Sequence, residues 1–129
     1  MNTNGKILIC DDEPHIRRLI EQSLEEMEDE GVEIITTADG EEALAAIRAE
    51  APDLIILDVM MPKMNGFDLC ETIKSDEALR SSYVMLLTAK GQEHDRHHGQ
   101  EIGADRYMTK PFDPDELLSI AREVLLGRG

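Results

Sequence analysis

Two periods of apolar residues alternate along this chain. Five short runs read as strands: Lys6-Ile7-Leu8-Ile9-Cys10, Val32-Glu33-Ile34-Ile35-Thr36-Thr37, Asp53-Leu54-Ile55-Ile56-Leu57-Asp58, Tyr83-Val84-Met85-Leu86-Leu87 and Arg106-Tyr107-Met108-Thr109. The unbroken aliphatic stretches among them suit strands buried on both faces of a sheet. Between the strands the spacing turns helical. Ile16, Leu19, Ile20, Leu24 and Met27, with Pro14 fit for a first turn, predict one amphipathic helix over 14–29, ended by Gly31. Asp39 is placed to cap a helix that turns Ala43, Leu44 and Ile47 inward. Beyond Pro62 and Gly66, Phe67, Cys70 and Ile73 mark a further helix; a polar helix follows over about 91 to 102. A last helix begins after Pro114 with Leu117, Ala121, Val124 and Leu125 as its buried stripe, and Ile120 is expected at the flank, partly exposed beside Tyr107.

Strict strand and helix alternation with short joints implies right-handed crossovers and helices on both faces of a parallel sheet. The expected fold is a flavodoxin-like, doubly wound α/β domain, (βα) repeated five times with strand order 2-1-3-4-5, in one unit over 1–129. Its switch point lies between strands 1 and 3, where such sheets bind ligands at the strands' C-terminal ends.

Those ends carry chemistry. Strand 1 runs into Asp11-Asp12-Glu13, strand 3 ends in Asp58, strand 4 in Thr88, and strand 5 leads to Lys110-Pro111. Carboxylates crowded on one rim repel by ~4 kcal/mol per pair at ~4 Å and an effective dielectric near 20, so a cation is nearly required. Oxygen-only ligands favour Mg²⁺, with Mn²⁺ as the alternative, and the lack of Cys or His beside these acids disfavours zinc. With the charge neutralised, Asp58 is fit to attack phosphorus while the Lys110 ammonium and Thr88 hydroxyl hold the phosphoryl oxygens. Singly, each residue has a plainer explanation: a strand-end acid often caps a helix, and Lys-Pro is commonly a turn.

Composition narrows the partners. The formal net charge of -15 disfavours nucleic acid and anionic membrane as direct partners. Much of the excess sits in Glu25-Glu26-Met27-Glu28-Asp29-Glu30, read as a solvated face. Cys10 and Cys70 fall among apolar neighbours and read as buried free thiols, which together with the lack of a signal-length or membrane-length apolar stretch sets the expectation of a soluble, cytoplasmic protein. His94 and His98, with His97 between, are four apart on the polar helix, a spacing able to chelate a metal, but an exposed polar helix is preferred because no further ligand completes the site. His15 is read as solvent-facing, and most of the methionines, including Met60, Met61, Met64, Met85 and Met108, as core filling.

Asp11-Asp12, Asp58 followed by Pro62 and Gly66, Thr88-Ala89, and Tyr107 before Lys110-Pro111-Phe112 together resemble the response-regulator receiver family of bacterial two-component signalling, over essentially the whole chain. The resemblance implies that Asp58 is the phosphoacceptor, Asp12 a direct metal ligand, Asp11 a ligand acting largely through water, and the Met60 backbone carbonyl the third protein ligand. It implies Thr88 as the switch hydroxyl, Lys110 as the phosphate-binding amine and Tyr107 as the aromatic that changes rotamer. The implied donor is a phosphohistidine on a histidine kinase or phosphotransfer protein, and the output is a downstream protein or output domain, reached through the fourth helix, fifth strand and last helix. The protein would not be an enzyme beyond catalysing its own phosphorylation and dephosphorylation.

Two other readings compete. An aspartate-nucleophile phosphatase shares the strand-end Asp, Mg²⁺, Thr and Lys, but needs a second Asp two residues after the nucleophile, where this chain has Met60. A phosphate-blind binding module has no use for all of these groups at once. Arg106 and Ile120 replace charges that winged-helix relatives interlock in dimers, which favours a partner docking at an apolar edge.

Overall fold

The computed structural model describes residues 4–61, 63–89 and 103–127. Expectations for Pro62 and for the polar helix of about 91 to 102 with its histidines fall outside that set. The described elements are β1 (Lys6–Cys10), α1 (Pro14–Ser23), α2 (Glu25–Asp29), β2 (Glu33–Thr37), α3 (Gly40–Glu50), β3 (Leu54–Asp58), α4 (Gly66–Ser75), β4 (Tyr83–Ala89), β5 (Arg106–Lys110) and α5 (Pro114–Gly127). The strands pair in parallel in the order β2-β1-β3-β4-β5, as expected.

Strand alternation divides the core in two. Ile7, Ile9, Leu54, Ile56, Met85, Leu87 and Met108 face Ile20, Leu24, Met27, Leu117 and Ala121 from α1, α2 and α5. Leu8, Cys10, Ile55, Leu57, Val84 and Leu86 face Ala43, Ile47, Leu69, Cys70 and Ile73 from α3 and α4. Covering both faces is what lets β3 run as five buried residues. Both cysteines are buried free thiols.

Three sequence expectations fail. The helix over 14–29 breaks at Leu24, which closes α1 through backbone bonds to Ile20 and Glu21 and opens α2. The break seats both Leu24 and Met27 in the core and leaves Leu19 41% exposed. Ile120 is only 6% exposed and packs with the α1 and α2 side chains, whereas Tyr107 packs on the opposite face of the sheet. The stripe of α5 is wider than expected, running Leu117, Ile120, Ala121 and Val124, the full one-face repeat of a core helix. The apolar docking edge inferred from Ile120 therefore does not exist. Met60 is not core filling either: it is 62% exposed.

Candidate functional site

The same alternation that builds the α1/α5 face aims charge at its end. Continuing β1 past Ile7 and Ile9 brings Asp11, continuing β3 past Leu54 and Ile56 brings Asp58, and continuing β5 past Met108 brings Lys110. Asp11 is fully buried and Asp58 nearly so. Asp11 accepts the Glu13 backbone N–H at 2.9 Å through Oδ1 and the Lys110 ammonium at 2.9 Å through Oδ2. Lys110 Nζ also stands 3.3 Å from Asp58 Oδ1, which accepts the Met60 backbone N–H at 3.3 Å. Arg17 fixes the turn by donating to the Asp11 carbonyl at 2.7 Å.

Asp12 is exposed and completes a cluster in which Asp11, Asp12 and Asp58 each offer an oxygen within 4.8 Å of the others. A cavity of about 320 Å³ opens above them, lined by Asp12, Glu13, Asp58, Met60, Ala89 and Lys110. The pocket next to α5, lined by Met27, Val32, Arg122 and Leu125, contains none of these acids.

The loop after β3 is held close. Asn65 caps α4 by accepting the Asp68 N–H, and the Gly66 N–H bonds the Val59 carbonyl at 3.0 Å. A Cβ on Gly66 would stand 2.5 Å from the Asp58 carbonyl oxygen, so only glycine lets α4 start this near the carboxylate.

Electrostatics follow from burial. The Asp58 carboxyl is pushed up to about 6, first by desolvation and then by the Asp11 charge, with Lys110 and the Met60 N–H pulling back. Burial works against the Lys110 charge, but its hydrogen bond to Asp11 and the Asp58 charge more than offset that, so its pKa lies above the ordinary lysine value. One ammonium cannot balance the carboxylates around it. The donor set, all oxygen and short of positive charge, fits a hard divalent cation. The Cys10 thiol is no rival ligand: it donates to the Asp39 carbonyl at 3.3 Å and burial pushes it up to about 12.

Thr88, buried at the end of β4, is paired across the ladder with Thr109, and half-buried Tyr107 with Leu86. Alternation puts both on the α3/α4 face, beside rather than among the charged groups. Every expected site residue thus lies at the C-terminal edge of the sheet or on the strands that end there. Glu13 and Ala89 are the lining residues that the sequence reading did not include in the site. Both had a signal: Glu13 stands directly after the two acids, and Ala89 directly after Thr88 in the motif that carries the family resemblance.

The chain matches the response regulator receiver domain family over residues 7–122. It belongs to that family. Its receiver fold is similar to that of the chemotaxis response regulator CheY4 of Vibrio cholerae, with a TM-score of 0.82 at 32% identity over 93% of this chain and 98% of that one. It is similar also to the signal receiver domain of a signal transduction histidine kinase from Syntrophus aciditrophicus, with a TM-score of 0.85 at 36% identity over 95% and 91% of the two chains. Among curated proteins, the alkaline phosphatase synthesis transcriptional regulatory protein PhoP of Bacillus subtilis is 43% identical over 95% of this receiver domain, which spans only 49% of that protein. Protein PilG of Pseudomonas aeruginosa is 39% identical over 88% of this chain and 82% of its own length.

Proposed function

We propose that Asp58 is the phosphoacceptor of this receiver domain and that it takes its phosphoryl group from a phosphohistidine on a histidine kinase or phosphotransfer protein. One observation carries the reading: Lys110 Nζ, 3.3 Å from Asp58 Oδ1, stands beside the nucleophile at a cavity large enough for a phosphoryl group. An Asp58 oxygen attacks phosphorus, the P–N bond breaks, and the imidazole leaves toward solvent. Lys110 leaves Asp11 for the new phosphoryl oxygens, and the Thr88 hydroxyl turns toward them from the end of β4. Mg²⁺ or Mn²⁺, held by Asp12 and Asp58 with the Met60 carbonyl and by Asp11 largely through water, would neutralise the acids and polarise the phosphoryl oxygens.

Met60, two residues past Asp58, is apolar and lines the cavity. Turnover on outside substrates needs an acid or base at that position, so catalysis stops at the domain's own phosphorylation and slow hydrolysis. Output follows from a two-state element at the ends of β4 and β5, with Thr88 drawn in and Tyr107 taking the vacated space. The target is a downstream protein or output domain, reached without direct contact between this acidic domain and nucleic acid. Among the described residues no helix is long and apolar enough to cross a membrane, and two buried free thiols fit a reducing cytoplasm. Incubation with a purified histidine kinase carrying labelled phosphohistidine tests the proposal: label should move to the chain but not to its Asp58→Asn variant. Equal transfer to both would refute it.

A further inference from the structure

Glu13 occupies the N-cap of α1 in extended conformation, yet its side chain makes no capping hydrogen bond. Glutamate is a poor capping residue, and only the Glu13 carbonyl takes part in the helix, accepting its first bonds from Ile16 and Arg17. The side chain is 51% exposed and lines the mouth of the cavity, with Oε1 3.7 Å from Lys110 Nζ. It lies outside the trio whose oxygens converge for a cation. A bound divalent ion and Lys110 would together compensate Asp11, Asp12 and Asp58, and Lys110 turning to the phosphoryl group would leave the Glu13 charge bare at the rim.

That rim is where the leaving group departs. Asp58 lines the cavity at 6% exposure, and in-line transfer expels the leaving group on the side of phosphorus opposite the nucleophile, toward the cavity mouth that Glu13 lines together with Met60 and Ala89. We infer that Glu13 is a specificity-determining residue which selects phosphoryl donors by the charge of their leaving group, favouring nitrogen-linked donors over acyl phosphates. This rests on Asp58 being the phosphoacceptor. With phosphoramidate, the Asp58 carboxylate forms an O–P bond as the P–N bond breaks, and protonated nitrogen leaves as neutral ammonia. With acetyl phosphate the same O–P bond forms, the acyl C–O–P linkage breaks at phosphorus, and acetate leaves as an anion toward the Glu13 carboxylate. Only the second step builds repulsion at the rim.

The test compares phosphorylation rate constants of the native chain, Glu13→Gln and Glu13→Asp with acetyl phosphate and phosphoramidate, at saturating Mg²⁺ and at low and high salt. Glu13→Gln should speed acetyl phosphate by roughly three- to tenfold, phosphoramidate clearly less, with the gap closing at high salt. Glu13→Asp should keep the native ratio of the two rates. Equal changes for both donors, or a gap indifferent to salt, would overturn the inference while leaving the phosphoacceptor intact. Failure of both donors to phosphorylate the native chain would instead overturn the reading on which it rests.

Discussion

Lys110 Nζ lies 2.9 Å from Asp11 Oδ2, so the fully buried acid of β1 is neutralised by an ammonium carried from the end of β5, with β3 and β4 between them. The pairing ties the C-terminal ends of β1 and β5 together. It also makes the pocket a balance between one fixed cation and whatever cation binds from solvent.

Metal-free stability should reflect the cost of ionising Asp58. Its folded carboxyl titrates near 6 against an ordinary value of 3.8, so the folded state holds its proton longer and stability falls as pH rises through that window. Above it the whole cost is present. Asp58→Asn should therefore stabilise the protein in chelator at pH 7.5 by on the order of 2–3 kcal/mol, with the gain shrinking toward pH 4. Urea unfolding at several pH values measures this; a variant no more stable at pH 7.5 than the native chain would contradict it.

Removing the competing ammonium should favour divalent ions. Lys110→Ala is expected to tighten Mg²⁺ binding by about tenfold while crippling phosphoryl transfer. Calorimetric titration separates the two effects, since weaker Mg²⁺ binding would mean that Lys110 organises the acids rather than competing for them.

Hydrolysis of the phosphorylated state should be slow, because the exposed Met60 thioether beside the cavity can neither orient nor activate water. Met60→Asn should shorten the lifetime by several-fold, on the order of 1 kcal/mol of barrier. Phosphate release that is unchanged or slower in the variant would count against this role.

The strands were legible because burial on both faces leaves nearly unbroken aliphatic runs, and the convergence of Asp11, Asp12, Asp58 and Lys110 in the candidate site was legible because parallel strands deliver their next residues to one edge. The break at Leu24 was not: no glycine or proline marks it, and only the packing of Leu24 and Met27 against the sheet decides it. Ile120 was misplaced because Leu117, Ala121, Val124 and Leu125 suggested a narrow stripe, while α5 buries Ile120 under α1 and α2. The 3.7 Å approach of Glu13 to Lys110 joins residues far apart along the chain, which no local pattern reveals.

Burial of Ile120 changes what a charge there would do. Ile120→Lys should destabilise the fold by about 3 kcal/mol or more rather than break an interface. A melting temperature equal to that of the native chain would show that the position is a surface one.

The most direct test of the phosphoacceptor assignment is to phosphorylate the purified chain with phosphoramidate and Mg²⁺, trap the acyl phosphate by borohydride reduction, and map the modified residue by mass spectrometry. The expected result is one modified residue, Asp58, with no modification in excess chelator or in Asp58→Asn. Modification at another residue, or incorporation that persists in Asp58→Asn, would contradict it.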